Sequence, residues 1–416
     1  MQSNNKTILL TVFITIFIDM LGVGVLIPIY PLLILPHSIF KVIPDTWAVS
    51  SGFIMLGWLS TSFPLAQFFT APILGQLSDR FGRKKILALS IFGTFISYLL
   101  FAVAITNKNI PLMFIARFTA GLLGGNISIS QAVIADISSP ENRPKNFGLI
   151  GAAFGLGFIF GPFIGGKLSD PNTVSWFTAA TPFYFISILS LINMVMLLKL
   201  LPETLMVKSN SRINITKPFH NIKLAFSREG LRNIMPSTFL FNAGFTFFVT
   251  FFAVTLAQKF HFNQGQIGNY FAYTGIMIVV AQSIIVRQVA KFRQDFQVLR
   301  FSMFGTAACL FILFLIPTGY AAWIYCIPPF LAAFNALTMS FNGSIVARVT
   351  PINIRGEGMG INSSVMALAQ TIPAILSGYI AGIGTNIPLI VGSVVIMLGG
   401  ICFWLLFNPQ QFHKIN

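Results

Sequence analysis

The sequence predicts an all-α integral membrane protein: twelve transmembrane helices in two pseudo-symmetric bundles of six. Three observations carry that expectation. Of the 416 residues, 55% are hydrophobic and only 9% charged, whereas a soluble chain of this size carries about a quarter charged residues. Apolar runs of span length recur along the whole chain. The two halves of the chain echo each other around one polar segment.

The apolar runs fall at about 7–35, 47–75, 86–106, 111–135, 146–168 and 177–200, then at 232–258, 265–287, 298–318, 322–347, 358–383 and 387–407. In lipid the backbone must satisfy its own hydrogen bonds, so each run is expected to be helical. Runs of this length do not suit barrel strands, which alternate over about ten residues. The first run is too long for a signal-peptide core and lacks a small-residue cleavage site, so it is expected to stay as a span. Abundant Gly (34) and Phe (45) suit helices packed closely in a bilayer.

The net charge of +16 would suggest nucleic acid in a soluble protein. Here its distribution explains it. One set of loops carries Arg80, Arg83, Lys84, Lys85, Arg143, Lys145, Lys291, Arg293 and Arg355, together with the basic segment 199–232. The opposite loops hold Lys41, Lys108, Lys167 and Lys259. The bias predicts that both termini are cytoplasmic, with the positive charge facing anionic lipid. Membrane lipids are thus expected partners and nucleic acid is not. Cys309, Cys326 and Cys402 lie in apolar segments without metal spacing, and His37, His220, His261 and His413 lie in loops or tails. No metal site or disulfide framework is expected.

Residues 1–200 form the first expected bundle, 201–231 a cytoplasmic linker, and 232–416 the second bundle. Within the linker, PFHNIKLAFSREG places Phe219, Ile222 and Phe226 on one helical face with bases around them. This suits an amphipathic helix on the inner leaflet; a plain tether is the alternative. The echo between halves is DISSPENRPKNFG after span four and RVTPINIRGEGMG after span ten. In both, Gly follows Arg by five residues (Arg143 to Gly148, Arg355 to Gly360), and a Pro lies deep in the next helix (Pro162, Pro373). Duplicated six-span halves point to a transporter with its substrate site near the midplane.

Asp19 is the one carboxylate well inside a span. At ~1.5 Å per residue it lies roughly 18 Å in from Thr7, near the middle of a hydrocarbon layer about 30 Å thick. An acid there is functional by default, and burial penalises its charged form, so it can take a proton from one side and lose it to the other. A neutral structural Asp bonded to neighbouring helices is the plainer alternative. In span four, Arg117, Gly121, Gly124, Ser128 and Gln131 fall on one arc at helical period and are expected to line a central cavity. Arg117 there is a fixed charge that biases proton occupancy or binds substrate, or else snorkels to the headgroups.

The loop GQLSDRFGRKKI, 75–86, sets Asp79 among Arg80, Arg83, Lys84 and Lys85. Gly75 is expected to allow close helix approach and Gly82 to make a tight turn. A short turn of this kind can act as a cytoplasmic latch. In span five, Gly148, Gly155, Pro162 and Gly166 share one face, and Gly157 and Gly161 another, which predicts backbone contact with two neighbours. The second half offers no intramembrane acid. Its buried polar candidates are Asn242, Tyr270, Tyr273, Gln282, Asn335, Asn342 and Gln370; Gly268, Gly275 and Gln282 recur on one face of span eight, which is expected to meet the other half. Aromatic side chains are plentiful enough to wall an apolar pocket.

These motifs resemble the major facilitator superfamily. GQLSDRFGRKK is similar to its G-x-L-x-D-R-x-G-R-[KR] loop. RFTAGLLGGNIS resembles its R-x-x-x-G segment at Arg117 and Gly121. Gly148, Gly157, Gly161, Pro162, Gly165 and Gly166 fit G-x8-G-x3-G-P-x2-G-G, the pattern of the family's antiporting exporters. Asp19, Gly22, Gly24, Pro28 and Pro31 resemble the first span of its drug:proton antiporters, especially the tetracycline-exporter-like group. RQVAKFRQDFQ at 287–297 lacks the loop motif's glycines, so no latch role is carried onto Asp295.

The resemblance implies the major facilitator fold and a proton-coupled exporter of the bacterial inner membrane. Asp19 and Arg117 would couple to protons. Gly75, Asp79, Arg80, Gly82, Arg83, Lys84 and Asp136 would form the cytoplasmic gate. Ser128, Gln131, Asn242, Gln282 and Asn335 would face an amphiphilic small-molecule substrate, cationic or metal-chelated. A monomer driven by a proton gradient, with no cofactor and no ATP, is expected. Export of an endogenous metabolite or siderophore, or proton-coupled nutrient import, are the alternatives. No nucleophile–base pair or nucleotide loop points to an enzyme.

Overall fold

The computed structural model describes residues 2–139, 142–205, 213–292, 295–350 and 355–407. Glu141, Arg293 and the linker residues 206–212 lie outside the described residues, as do the side chains of Arg143, Lys145, Asp295, Arg355 and Glu357. Among the described residues every regular element is a helix. Eleven helices are long and apolar enough to cross a membrane. Twelve spans result when Thr318–Cys326 and Pro328–Val346, bent by 49°, are taken as one.

The chain divides into two compact units. The first comprises Met1–Gly52, Ser62–Ile215 and Asn263–Ala272; the second comprises Phe53–Thr61, Thr216–Phe262 and Tyr273–Asn416. The first holds α1 (Gln2–Ile34), most of α2 (Val49–Phe81), α3 (Arg83–Thr106), α4 (Ile110–Leu122), α5 (Asn126–Ile137), α6 (Arg143–Leu168) and α7 (Thr181–Leu200). The second holds α8 (Lys217–Ser227), α9 (Leu231–Lys259), the rest of α10 (Gln264–Val280), a π-helical turn (Ala281–Ile285), α11 (Val286–Phe292), α12 (Asp295–Leu315), a 3-10 segment (Thr318–Cys326), α13 (Pro328–Val349), α14 (Arg355–Ala381) and α15 (Ile387–Leu406).

In the first unit α1 packs on α6 through glycine. A Cβ on Gly161 would stand 2.8 Å from the Gly24 Cα, and one on Gly165 would stand 2.7 Å from the Val25 carbonyl oxygen; Gly157 lies against Met20. Small residues let the backbones meet, which replaces the hydrophobic drive that lipid removes. Nearer the start of α1, Val12 and Ile16 belong to one buried apolar cluster with Leu87 of α3, Val133 of α5 and Leu197 of α7. In the same unit Gly166 meets Gly268. In the second unit, α9 and α15 meet at Gly244 and Gly392, and Gly57 meets Gly378. Thr61 there donates to the Thr371 carbonyl at 3.0 Å.

The two echoing segments sit at matching places in their helices. Arg143 and Arg355 each begin a helix, and Pro162 and Pro373 each lie inside it. Gly148 and Gly360 occupy equivalent positions, and a Cβ on either would meet nothing within 4 Å.

Four expectations change. Span four is not one helix: α4 ends at Leu122 and α5 begins at Asn126. The arc from Arg117 to Gln131 is therefore interrupted, because the glycines at 124 and 125 weaken the helix and α2 supplies alternative hydrogen bonds. Span eight passes through the π turn, whose extra residue shifts the register. Gly268 packs in the first unit, while Gln282 accepts from Ser340 at 3.3 Å in the second. Span ten starts as a 3-10 segment and becomes α-helical only at Pro328, a residue suited to a first helical turn. Gly75 and Gly148 make no close approach, since nothing lies near either one.

Candidate functional site

The first unit contains a buried polar cluster built around Asp19. Asp19 projects from the middle of α1, toward the start of α5. The Asn126 side chain, 2% exposed, donates from Nδ2 to Asp19 Oδ1 at 3.0 Å and to Thr94 Oγ1 of α3 at 3.1 Å. The Thr94 hydroxyl in turn donates to the Ser90 carbonyl at 3.1 Å. Among the described residues no ion pair includes Asp19. Its partner is a neutral amide.

The break in span four builds this arrangement. Its freed carbonyls are taken up by α2: Thr70 donates to the Gly121 carbonyl at 3.0 Å and Gln67 to that of Gly124 at 2.9 Å. Interrupted helices survive at membrane depth when neighbours satisfy the backbone in this way. The break leaves Asn126 as the first residue of a new helix, and its side chain points at α1 and α3.

Arg117 sits one layer away. It is 6% exposed, and its guanidinium lies 5.0 Å over the Phe63 ring, a cation–π contact. The Tyr98 hydroxyl is within electrostatic range of Arg117, Asp19 and Tyr30. Tyr98 fits because Gly22 has no side chain; a Cβ there would collide with the hydroxyl. Arg117 is thus enclosed by the protein rather than reaching for headgroups. Its Nε has no hydrogen-bond partner among the described residues.

The second constellation lies where α2 turns into α3. Gly82, at φ 108°, makes the turn. Arg83 folds back from it, pairing with Asp79 and donating to Ser78 Oγ at 2.7 Å and to Asp136 Oδ2 at 3.1 Å. Asp136 also accepts from Thr204 at 3.3 Å. Glu203, after α7, accepts from the Arg83 backbone at 2.8 Å and from that of Lys84 at 3.3 Å. The four bases of the loop are not equivalent. Arg83 ties three elements together, while Arg80 lies over Phe81. Lys84 contributes its backbone N–H.

The glycines of α6 divide. Gly157, Gly161 and Gly165 meet α1, and Gly166 meets α10, whereas Gly148 faces open space. Pro162 lies between these contacts: its ring meets Gly24 and its carbonyl meets Gly268. The residues expected at a cavity are dispersed. Ser128 turns back to the Gly125 carbonyl at 3.0 Å, and Gln131 is exposed. Asn242 donates to the Thr238 carbonyl at 2.8 Å. Asn335 keeps a buried Nδ2 with no partner among the described residues.

Sequence reasoning misses Asn126, Tyr98 and Glu203. The Gly124–Gly125 doublet before Asn126 is a breaker signal. Glu203 caps a helix 120 residues upstream, a pairing with no local trace.

A family model described as Major Facilitator Superfamily matches residues 12–343 and 234–415. The tetracycline resistance protein, class H, of Pasteurella multocida is 28% identical over 291 residues, 69% of this chain and 68% of its own. Multidrug resistance protein 1 of Bacillus subtilis (strain 168) is 25% identical and spans 95% of each chain. Among solved structures, the human organic anion transporter MFSD10 (TETRAN) superposes with a TM-score of 0.72 at 21% identity, covering 96% of this chain and 99% of that one.

Proposed function

Because this chain belongs to the Major Facilitator Superfamily, a family of membrane transporters of small molecules, we propose that it is a proton-coupled exporter working by alternating access. The observation that carries this reading is the part-buried Asp19 carboxyl, bonded to the Asn126 amide and, among the described residues, in no ion pair. A carboxylate with a fixed counter-ion is locked in its charged form. One held by a neutral donor is free to load and unload a proton.

In the proposed cycle the two bundles rock about a central site. Protonation of Asp19 from outside favours substrate release there, and deprotonation toward the inside favours binding of the next molecule. Arg117 supplies a fixed positive charge relayed through Tyr98. The Asp79–Arg83–Asp136 group, with Gly82 and Glu203, holds the cytoplasmic ends of α2, α3 and α5 in one arrangement. One elementary charge moved across ~100 mV releases about 2.3 kcal/mol, enough at 1.4 kcal/mol per tenfold for a gradient of roughly 40-fold. An ion gradient, not ATP, is the energy source. The substrate is an amphiphilic drug-like molecule and the location the bacterial inner membrane, with both termini cytoplasmic. Kinship with tetracycline and multidrug resistance proteins supports this.

A second reading, export of an organic anion, is favoured by the buried Arg117 Nε, which has no partner among the described residues, and by the likeness to the organic anion transporter MFSD10. Inverted vesicles energised with a pH gradient test both. Tetracycline and ethidium should each trigger proton release that Asp19→Asn abolishes; release that survives in the variant moves the coupling site elsewhere. Proton release by anionic dyes alone would favour the second reading.

A further inference from the structure

We propose that the Asn126 side-chain amide reads the protonation state of Asp19 by turning end for end. This deepens the proton-carrier reading of Asp19 and rests on it. An amide offers two N–H donors on one side and an acceptor oxygen on the other. In the structure both donors are committed, one to Asp19 Oδ1 and one to Thr94 Oγ1. The oxygen is buried and has no partner among the described residues. That orientation suits an ionised Asp19, which can only accept.

A protonated Asp19 carries an O–H and needs an acceptor. With the amide turned, Asn126 Oδ1 stands where Nδ2 was. Its two lone pairs can take the Asp19 proton donor and the Thr94 hydroxyl, which then leaves the Ser90 carbonyl. Either orientation leaves one end of the amide bare on the far side. The far side is bare both ways, of the oxygen in one orientation and of two N–H donors in the other, so the turn needs the proton on Asp19 to tip the Asp19–Thr94 side. A buried polar group left unmade is expensive, so the amide follows the proton.

The neighbouring elements do not override this. Tyr98 of α3, Arg117 of α4 and Tyr30 of α1 are the titratable or charged groups gathered here. The face of α6 against α1 is glycine and proline. The amide of Asn193 on α7 accepts from Thr15; Tyr184 pairs with Thr106 and Lys199 lies in the last turn of α7. Within α5 itself, Asp136 lies at the opposite end.

The test is pH-difference infrared spectroscopy of the purified protein, which needs no substrate. The carboxyl band missing from Asp19→Asn identifies Asp19. In the wild type, asparagine side-chain amide bands should change together with it. In Asn126→Leu those amide changes should vanish and the Asp19 band should shift to higher wavenumber, having lost its partner. Asn126→Ala gives the same readout without added bulk. An Asp19 band that stays in place in both variants overturns the proposal and leaves the proton-carrier reading intact. A wild-type spectrum identical to that of Asp19→Asn overturns both, because Asp19 would then not titrate.

Discussion

The Glu203 carboxylate caps the first turn of α3 through Arg83, whose backbone N–H donates to Oε1 at 2.8 Å. Helix starts leave four N–H groups without partners, and Gly82 leaves no side chain to serve them. The cap therefore comes from the far end of α7. Glu203→Ala should cost about 1 kcal/mol. Gly82→Ala should cost at least about 1 kcal/mol, from positive φ and collision with Glu203. Thermal melts in detergent check both, and the double variant should be less than additive because the two residues touch.

Arg83 is enclosed, while its partners are partly wet: side-chain exposure is 9% for Arg83, 22% for Asp136 and 47% for Asp79. Screening discounts the Asp79 share. Arg83→Met should cost about 1–2 kcal/mol, mostly through Asp136, which is left with Thr204 alone. Arg83→Lys should recover little, since one ammonium cannot reproduce the forked contacts to Ser78, Asp79 and Asp136. Melts of the two variants and of Asp136→Asn separate these contributions.

Two glycines of α6 should behave oppositely. Gly161→Leu forces a side chain into the α1 backbone and should cost at or above the ~1–3 kcal/mol of ordinary overpacking. Gly148→Ala enters open space and should stabilise by about 0.5–1 kcal/mol, as Ala does within a helix. If the transport cycle closes a surface on Gly148, transport by Gly148→Leu falls while its melt does not. Paired melting and flux measurements reveal that split.

The linker helix α8 buries Pro218, Asn221 and Ala225, and Asn221 donates to Ser364 at 3.0 Å. Phe219 and Phe226 are exposed on it. Residues of this kind seek the headgroup boundary. Phe226→Trp should be quenched by brominated lipids; unquenched, water-like emission would place α8 off the bilayer.

Outside the spans, Lys41 holds the Asp45 carboxyl below its usual value, by a 2.8 Å hydrogen bond and by charge. The small stabilisation is present at neutral pH and is lost as pH falls through the depressed value. Lys41→Met should move the titration upward, visible by NMR of carbon-labelled aspartate.

The span pattern and the close-packing glycines of α6 are legible because both are local and periodic, whereas the partner helix α1 is not. Gly157, Gly161 and Gly165 recur every four residues, and only close backbone contact explains that spacing in lipid. Asn126 is hidden because the apolar run of span four continues through it; the glycine doublet at 124–125 outweighs that run once Gln67 and Thr70 donate to the carbonyls at the break. The π turn at Ala281–Ile285 has no breaker residue. Glu203 and Tyr98 act across distances in sequence that no window covers.

The break in span four also changes how force travels through the first unit. An unbroken helix would have to carry Arg117 along with every movement of its inner half. Hinged at Leu123–Gly125, α5 becomes a rod of 12 residues, about 18 Å long, tethered at one end to Asp19 through Asn126 and at the other to Arg83 through Asp136. Tugging either tether tilts the rod against the other. Movement at the Asp19 end of the rod can then reach the Arg83 end, with Arg117 left standing on Phe63.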